Sequence, residues 1–350
     1  MQITSVGTAL PKHSYDQSAL IETISAYWSQ HHHNTARLQQ LHGAVRVGRR
    51  HTALPMERYP ALTFSEANQA FIEVGVDLGA EAIQEALSAA GFTPQDVDVI
   101  FTTTVTGIAT PSLDARLCNR LGFRTDIKRI PMFGLGCVAG AAGISRMHDY
   151  LKGHPDQVAV LLSVELCTLT LQRSDASIAN LIATGLFGDG AAAVVAVGRD
   201  REVSTNGPEV TTTKSRFYPD TERVMGWDIT DTGMQIVLAA SVPAMVEKHI
   251  RADVDDFLES HQLTIEQIKT WVCHPGGPKV LEAMQTALDI ERTDLELTWE
   301  SLDEVGNLSS SSVLFVLKET MQRQSPDSGD LGMMVAMGPG FCSEMVLLQW

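Results

Sequence analysis

The chain has 350 residues, 44% of them hydrophobic, which is enough to bury a large core as one big domain or as two intimately packed halves. Lys and Arg number 26 against 42 Asp and Glu, so the formal charge is −16 and the pI about 5.0. That balance excludes the broad basic face of a nucleic-acid binder and discourages docking on anionic membranes, so an anionic ligand has to be met by a local basic cluster.

Taken in chain order, the opening MQITSVGTALPKHS lacks a basic region and a long apolar run, so no signal peptide is expected and the location is read as cytoplasmic. His31–His33 are adjacent and do not share one helical face, which argues against a metal site there. Arg46, Arg49 and Arg50 form a basic cluster in VRVGRRH. Residues 76–91 read as a helix closed by a glycine, and 97–104 as a buried strand. Residues 140–153 read as a second helix with a glycine stop. The longest uncharged stretch, 130–145, has 16 residues and is too short to span a bilayer. The runs 157–164, 191–198, 269–274 and 332–338 are β-branched and nearly continuously apolar, as parallel strands covered on both faces are. Alternating strands and helices predict an α/β fold. A loose internal repeat places a strand, a glycine-rich turn and a helix start in each half. It predicts an N-terminal half over 1–200 and a C-terminal half over 201–350, joined in the polar stretch 198–210 around Asn206-Gly207-Pro208.

The five cysteines are widely spaced and contain no CxxC pair, which argues against a zinc ribbon or a thioredoxin-type site and for free thiols. Cys137 stands out among them. It lies in PMFGLGCVAGAAGI, where Gly134, Gly136, Gly140 and Gly143 allow close approach, and where a helix start favours thiolate and an oxyanion. A buried structural thiol is the competing reading. His274 ends an apolar strand and is held by Pro275, Gly276 and Gly277, at the place where α/β sheets bind ligands. Asn307 follows Gly306 and reads either as a helix cap or as a polar group of a site.

The set Cys137, His274 and Asn307 comes within a series of blocks: GLGCVAGAAGI, VELCTLTLQRS, LFGDGAAAVV, WVCHPGGPKVLE, VGNLSSSSVLFVL and MGPGF. From about residue 95 to the C-terminus the chain resembles the type III polyketide synthases of the chalcone and stilbene synthase superfamily. The resemblance implies a thiolase fold, five-layered αβαβα, built of two related halves in a homodimer. It implies that Cys137 carries the acyl chain and that His274 and Asn307 polarise the malonyl thioester and stabilise the enolate left by loss of carbon dioxide, with His274 also pairing with the Cys137 thiolate. Phe187 matches a gatekeeper between CoA tunnel and active site. Cys167, Thr170, Ile236, Ser309, Gly338 and Pro339 match positions that line or shape the cavity. Cys167, Ile236 and Met337 depart from the plant pattern, so a chalcone-like product is not expected. For CoA, the resemblance and the local charge point to Arg37, Arg46 and Lys279. No metal or organic cofactor is implied, and acyl-CoA and malonyl-CoA are substrates. MGWDITDTGMQIVL and VELCTLTLQRS resemble the branch that makes alkylpyrones and alkylresorcinols from long fatty acyl starters. The alternative is a single-condensation enzyme like ketoacyl-acyl-carrier-protein synthase III, whose histidine motif lacks the Pro-Gly-Gly-Pro turn.

Overall fold

The computed structural model describes every residue except 30–34, 174, 204–206 and 325. The chain begins with β1 (Gln2–Ala9), β2 (His13–Asp16), α1 (Gln17–Ser29), α2 (Thr35–Ala44), β3 (Arg49–Thr52) and the long α3 (Phe64–Ala90). It continues through β4 (Val99–Thr104), α4 (Leu113–Leu121), β5 (Lys128–Phe133), α5 (Ala139–Gly153), β6 (Val158–Leu166), α6 (Ile178–Leu186) and β7 (Asp189–Val197). Then come β8 (Glu209–Phe217), β9 (Met225–Thr230), β10 (Gly233–Leu238), α7 (Val242–Glu259), β11 (Ile268–Cys273), α8 (Pro278–Leu288), α9 (Glu296–Val305), α10 (Ser312–Glu319), β12 (Leu331–Gly338) and β13 (Cys342–Gln349).

Nine strands run in the order β11-β12-β13-β8-β1-β7-β6-β4-β5. The β1–β8 seam consists of one pair, Gln2 with Glu209, so the sheet works as two leaves. The alternation of side chains sorts each leaf into two faces. On β6, Val158, Val160, Leu162, Val164 and Leu166 face α3, while Ala159 and Leu161 face inward. On β12, Met334 and Ala336 face inward, while Met333, Val335 and Met337 face outward toward α7, α8 and α9. Between the leaves lie α5 and α10, whose Ala141, Ile144, Val313 and Leu317 meet inward residues of both. The order from one side to the other is α, β, α, β, α, the thiolase-like arrangement. The central layer leaves little room: a Cβ on Gly140 would lie 2.3 Å from the Ser310 carbonyl oxygen, which explains the small-residue run of α5.

Two expectations need correction. The strand predicted over 191–198 is β7, and it pairs antiparallel with both β6 and β1. Its unbroken apolar run reflects burial on both faces, which antiparallel pairing in a five-layered fold also produces. The helix expected over 140–153 is α5, which ends at Gly153 with His154 as its cap. Gly91 does close α3, in the left-handed conformation at φ 73°. That helix starts twelve residues before the expected 76, at a Thr63–Glu66 capping box. The His31–His33 run lies outside the described residues, as does Asn206 of the expected join.

Candidate active site

Cys137 sits on a 3₁₀ turn, Gly136–Val138, that runs into α5. Gly136 has φ 56°, and a Cβ there would lie 2.7 Å from the Pro339 ring, so glycine is required. Cys137 is 7% exposed, and its thiol donates to Ser309 Oγ at 3.6 Å. Ser309 itself has φ 50°, an uncommon conformation for a residue with a side chain, costing roughly 1–3 kcal/mol. Asn307 supports it, because Asn307 Oδ1 accepts the Ser309 backbone N–H at 2.8 Å. The Asn307 side-chain amide donates to the Gly276 carbonyl at 3.4 Å, long for a hydrogen bond. His274 extends β11 by one residue, its N–H donating to the Val335 carbonyl at 2.9 Å. Both of its ring nitrogens are buried without a hydrogen-bond partner.

All three groups line one cavity of about 410 Å³, in the size range of small-molecule sites. Phe187, Cys167, Ile236, Ser309, Pro339 and Lys279 line it too. Thr170 lines two adjoining cavities instead, of about 290 and 50 Å³. Gly338 is packed behind the wall, where a Cβ would meet the Val138 nitrogen at 2.7 Å. Arg37 is exposed on α2 and is not among the lining residues. Arg46 stands over the Trp299 ring and 3.7 Å from Glu282, also off the wall. The expected basic doorway is broken up further: Arg49 pairs with Asp16, and Arg50 is turned inward. Lys279 is the expected cation that does reach the cavity.

Burial dominates the electrostatics and opposes the expected thiolate. It pushes the Cys137 thiol up to about 12, against the lowering effect of Ser309. A nearby carboxylate, Glu165, adds to the rise. Burial also holds His274 down to about 4. Burial thus favours a thiol and a neutral imidazole over the charged pair and works against the pull of the helix start. Glu165 escaped notice in the sequence. It is fully buried behind Cys137, accepts from Val105 N–H at 3.1 Å and Thr106 Oγ1 at 3.0 Å, and binds Ser310 Oγ. Only its place in the VELC block, inside an apolar strand, could have marked it.

These shifts predict acid lability. His42 and His148, like His274, are held down to about 4 by burial. As pH falls below their ordinary 6.5, the unfolded chain takes up protons on all three and the folded chain does not. Asp189, raised to about 6 by burial, gains a proton in the folded state and works the other way, and so does Glu165, also raised by burial. The three histidines outweigh the two carboxyls, so stability falls by roughly 2–3 kcal/mol between pH 7 and 5. Urea midpoints at the two pH values check this, and an equal or higher midpoint at pH 5 counts against it.

Among the described residues, no group of three or more His, Cys, Asp or Glu side chains could hold a metal ion, and no helix is long and apolar enough to cross a membrane. Comparison with known proteins adds the family. Residues 1–201 match the profile "Chalcone and stilbene synthases, N-terminal domain", and 209–350 match its C-terminal counterpart. A 1,3,6,8-tetrahydroxynaphthalene synthase of Streptomyces peucetius subsp. caesius is 52% identical over 350 residues, covering 99% of this chain and 93% of the relative. A putative chalcone synthase of Bacillus subtilis is 36% identical, covering 99% of this chain and 98% of that one. The crystal structure of a 1,3,6,8-tetrahydroxynaphthalene synthase from Streptomyces coelicolor A3(2), described as a bacterial type III polyketide synthase, superposes with a TM-score of 0.94 at 29% identity. It covers 100% of this chain and 99% of that one. With both halves of the chain matched and the cavity built on its diagnostic blocks, the chain belongs to the chalcone and stilbene synthase family and is a type III polyketide synthase, a condensing acyltransferase.

Proposed function

We propose that this enzyme joins malonyl-CoA units on Cys137 into a short poly-β-ketone and closes it to a polyhydroxylated aromatic of the tetrahydroxynaphthalene kind. The 52% identity to a tetrahydroxynaphthalene synthase along nearly the whole chain carries this reading. In loading, neutral His274 takes the Cys137 proton as the sulfur attacks the thioester, and CoA leaves with a proton. In extension, the bond from malonyl carbon to carboxylate breaks and carbon dioxide departs. The electron pair moves to the thioester oxygen, where His274 and Asn307 donate hydrogen bonds. The enolate carbon then attacks the Cys137 thioester and displaces the thiolate, which the lengthened chain reacylates. Donors placed on the oxygen that gains charge favour the transition state over the substrate. Phe187 stands at the wall between the CoA entrance and this centre, and Lys279 meets the CoA phosphates. The working unit is a homodimer. The edge strand β5 presents unpaired backbone and the exposed Phe133, a template for a second copy, and light scattering checks the mass.

A second reading, a long fatty acyl starter closed to an alkylpyrone or alkylresorcinol, is favoured by the apolar wall of Ile178, Ile182, Leu186, Ile236, Leu238 and Val246. Mass spectrometry separates the two. Malonyl-CoA alone is expected to give an aromatic product without an alkyl chain. A product that forms only when long-chain acyl-CoA is added, and carries that chain, overturns the first reading in favour of the second.

A further inference from the structure

We propose that Arg50 and Gln17 are positioning residues for this reaction, acting through Asn307 and Phe187; this rests on the reading of Asn307 as an enolate donor. Arg50 is 3% exposed. On β3 its neighbour Arg49 points out to Asp16, and strand alternation turns Arg50 in. A buried guanidinium costs several kcal/mol unless its surroundings compensate it. The carboxylate of Asp189 faces its charge, and so does the imidazole of His42, held neutral by burial.

The hydrogen bonds go elsewhere. Nη1 donates to the Phe187 carbonyl at 2.8 Å, and Nε donates to Gln17 Oε1 at 3.1 Å. Gln17 Nε2 then donates to the Gly185 carbonyl at 2.7 Å. The pair thus grips two carbonyls at the C-terminal end of α6, where helices leave acceptors without partners. The segment so held is fastened to Asn307: its N–H donates to the Leu186 carbonyl at 2.9 Å, and Gly188 N–H donates to the Asn307 carbonyl at 3.0 Å. Phe187 and Asn307 pair in parallel as an isolated bridge. A Cβ on Gly306 would lie 2.7 Å from the Leu186 carbonyl oxygen and 3.2 Å from Arg50 Cγ, so the approach to Asn307 rests directly on both. Beyond Asn307 the chain of contacts reaches Ser309 and, through its hydroxyl, Cys137.

Arg50 is not a lining residue of the catalytic cavity, whereas Phe187 and Asn307 are. It therefore acts through them. A point charge would answer Asp189 equally well. Reaching Phe187 and Gln17 in two fixed directions takes the planar fork of arginine.

The test is a double-mutant cycle on malonyl-CoA decarboxylation. Arg50→Lys keeps the charge and loses the fork. The expected result is a kcat lower by roughly ten- to hundredfold, the scale of a small misplacement, with KM within about twofold. In an Asn307→Ala background, Arg50→Lys should have less than about a twofold further effect on kcat. If its full effect persists there, or kcat of the single variant is unchanged, the proposal is overturned. If Asn307→Ala alone leaves kcat intact, the reading of Asn307 fails instead. Should Arg50→Lys not fold, Gln17→Met removes the anchor of Nε and the grip on Gly185 while leaving Arg50 beside Asp189, and enters the same cycle with the same outcomes.

Discussion

Cys137→Ala is expected to stop product formation, by roughly 10⁴-fold or more as loss of a nucleophile does in other covalent enzymes, while malonyl-CoA is still decarboxylated. The two activities separate because they use different atoms. Chain growth needs a sulfur to hold the acyl group during attack. Loss of carbon dioxide needs donors for the enolate oxygen, and His274 and Asn307 line the cavity independently of the thiol. The substitution removes one buried sulfur whose partner is a 3.6 Å contact to Ser309, so the turn at Gly136 and the start of α5 should hold. Liquid chromatography with mass detection then shows acetyl-CoA accumulating without aromatic product. Continued condensation by Cys137→Ala would remove Cys137 from the mechanism. Loss of both activities, with an unchanged thermal midpoint, would tie decarboxylation to the thiol.

The three central groups were legible because each is punctuated locally. Cys137 lies in a glycine frame, His274 is stopped by Pro275-Gly276-Gly277, and Asn307 follows Gly306. Each signal is complete within a few residues. Arg50 was misread as part of a basic doorway because its partner carbonyl is 137 positions away and its orientation depends on the pairing of β3 with β2. Glu165 was hidden for the same reason, since Val105, Thr106 and Ser310 converge on it only after folding. The thiolate was expected from the helix start, a local effect, and burial by distant elements opposes it. Strand direction in β7 was likewise beyond local pattern, because apolar continuity records burial and not the sense of the neighbour. The branch assignment rested on the segments VELCTLTLQRS and MGWDITDTGMQIVL, which do send residues to the cavity, Cys167, Trp227 and Ile236. Product class depends on the space between such residues, and single positions do not fix it.

Asn307→Asp should isolate the donor from the scaffold. Asn307 lines the cavity and does two things with its side chain: Oδ1 accepts the Ser309 N–H at 2.8 Å and keeps Ser309 in its left-handed conformation, and the amide N–H group, now in a long 3.4 Å contact to the Gly276 carbonyl, is the donor left for the substrate. Aspartate retains the acceptor and nearly the same shape, but replaces the donor with negative charge. At pH 8 that charge opposes the enolate, and decarboxylation should fall by about 10²–10³-fold, the scale of losing one oxyanion donor. A carboxyl at this position, where the native residue is 2% exposed, is pushed up in pKa by burial. As pH falls toward 5 it takes up a proton and becomes a donor again, so part of the activity should return. Asn307→Ala has no proton to regain, and its loss should be the same at both pH values. Rates for the two variants at pH 8 and pH 5, each relative to the native enzyme, decide the matter. If Asn307→Asp turns over as fast as the native enzyme at pH 8, Asn307 is only a brace for Ser309. If Asp and Ala lose activity equally at both pH values, the loss belongs to the turn and not to the hydrogen bond that Asn307 gives to the enolate.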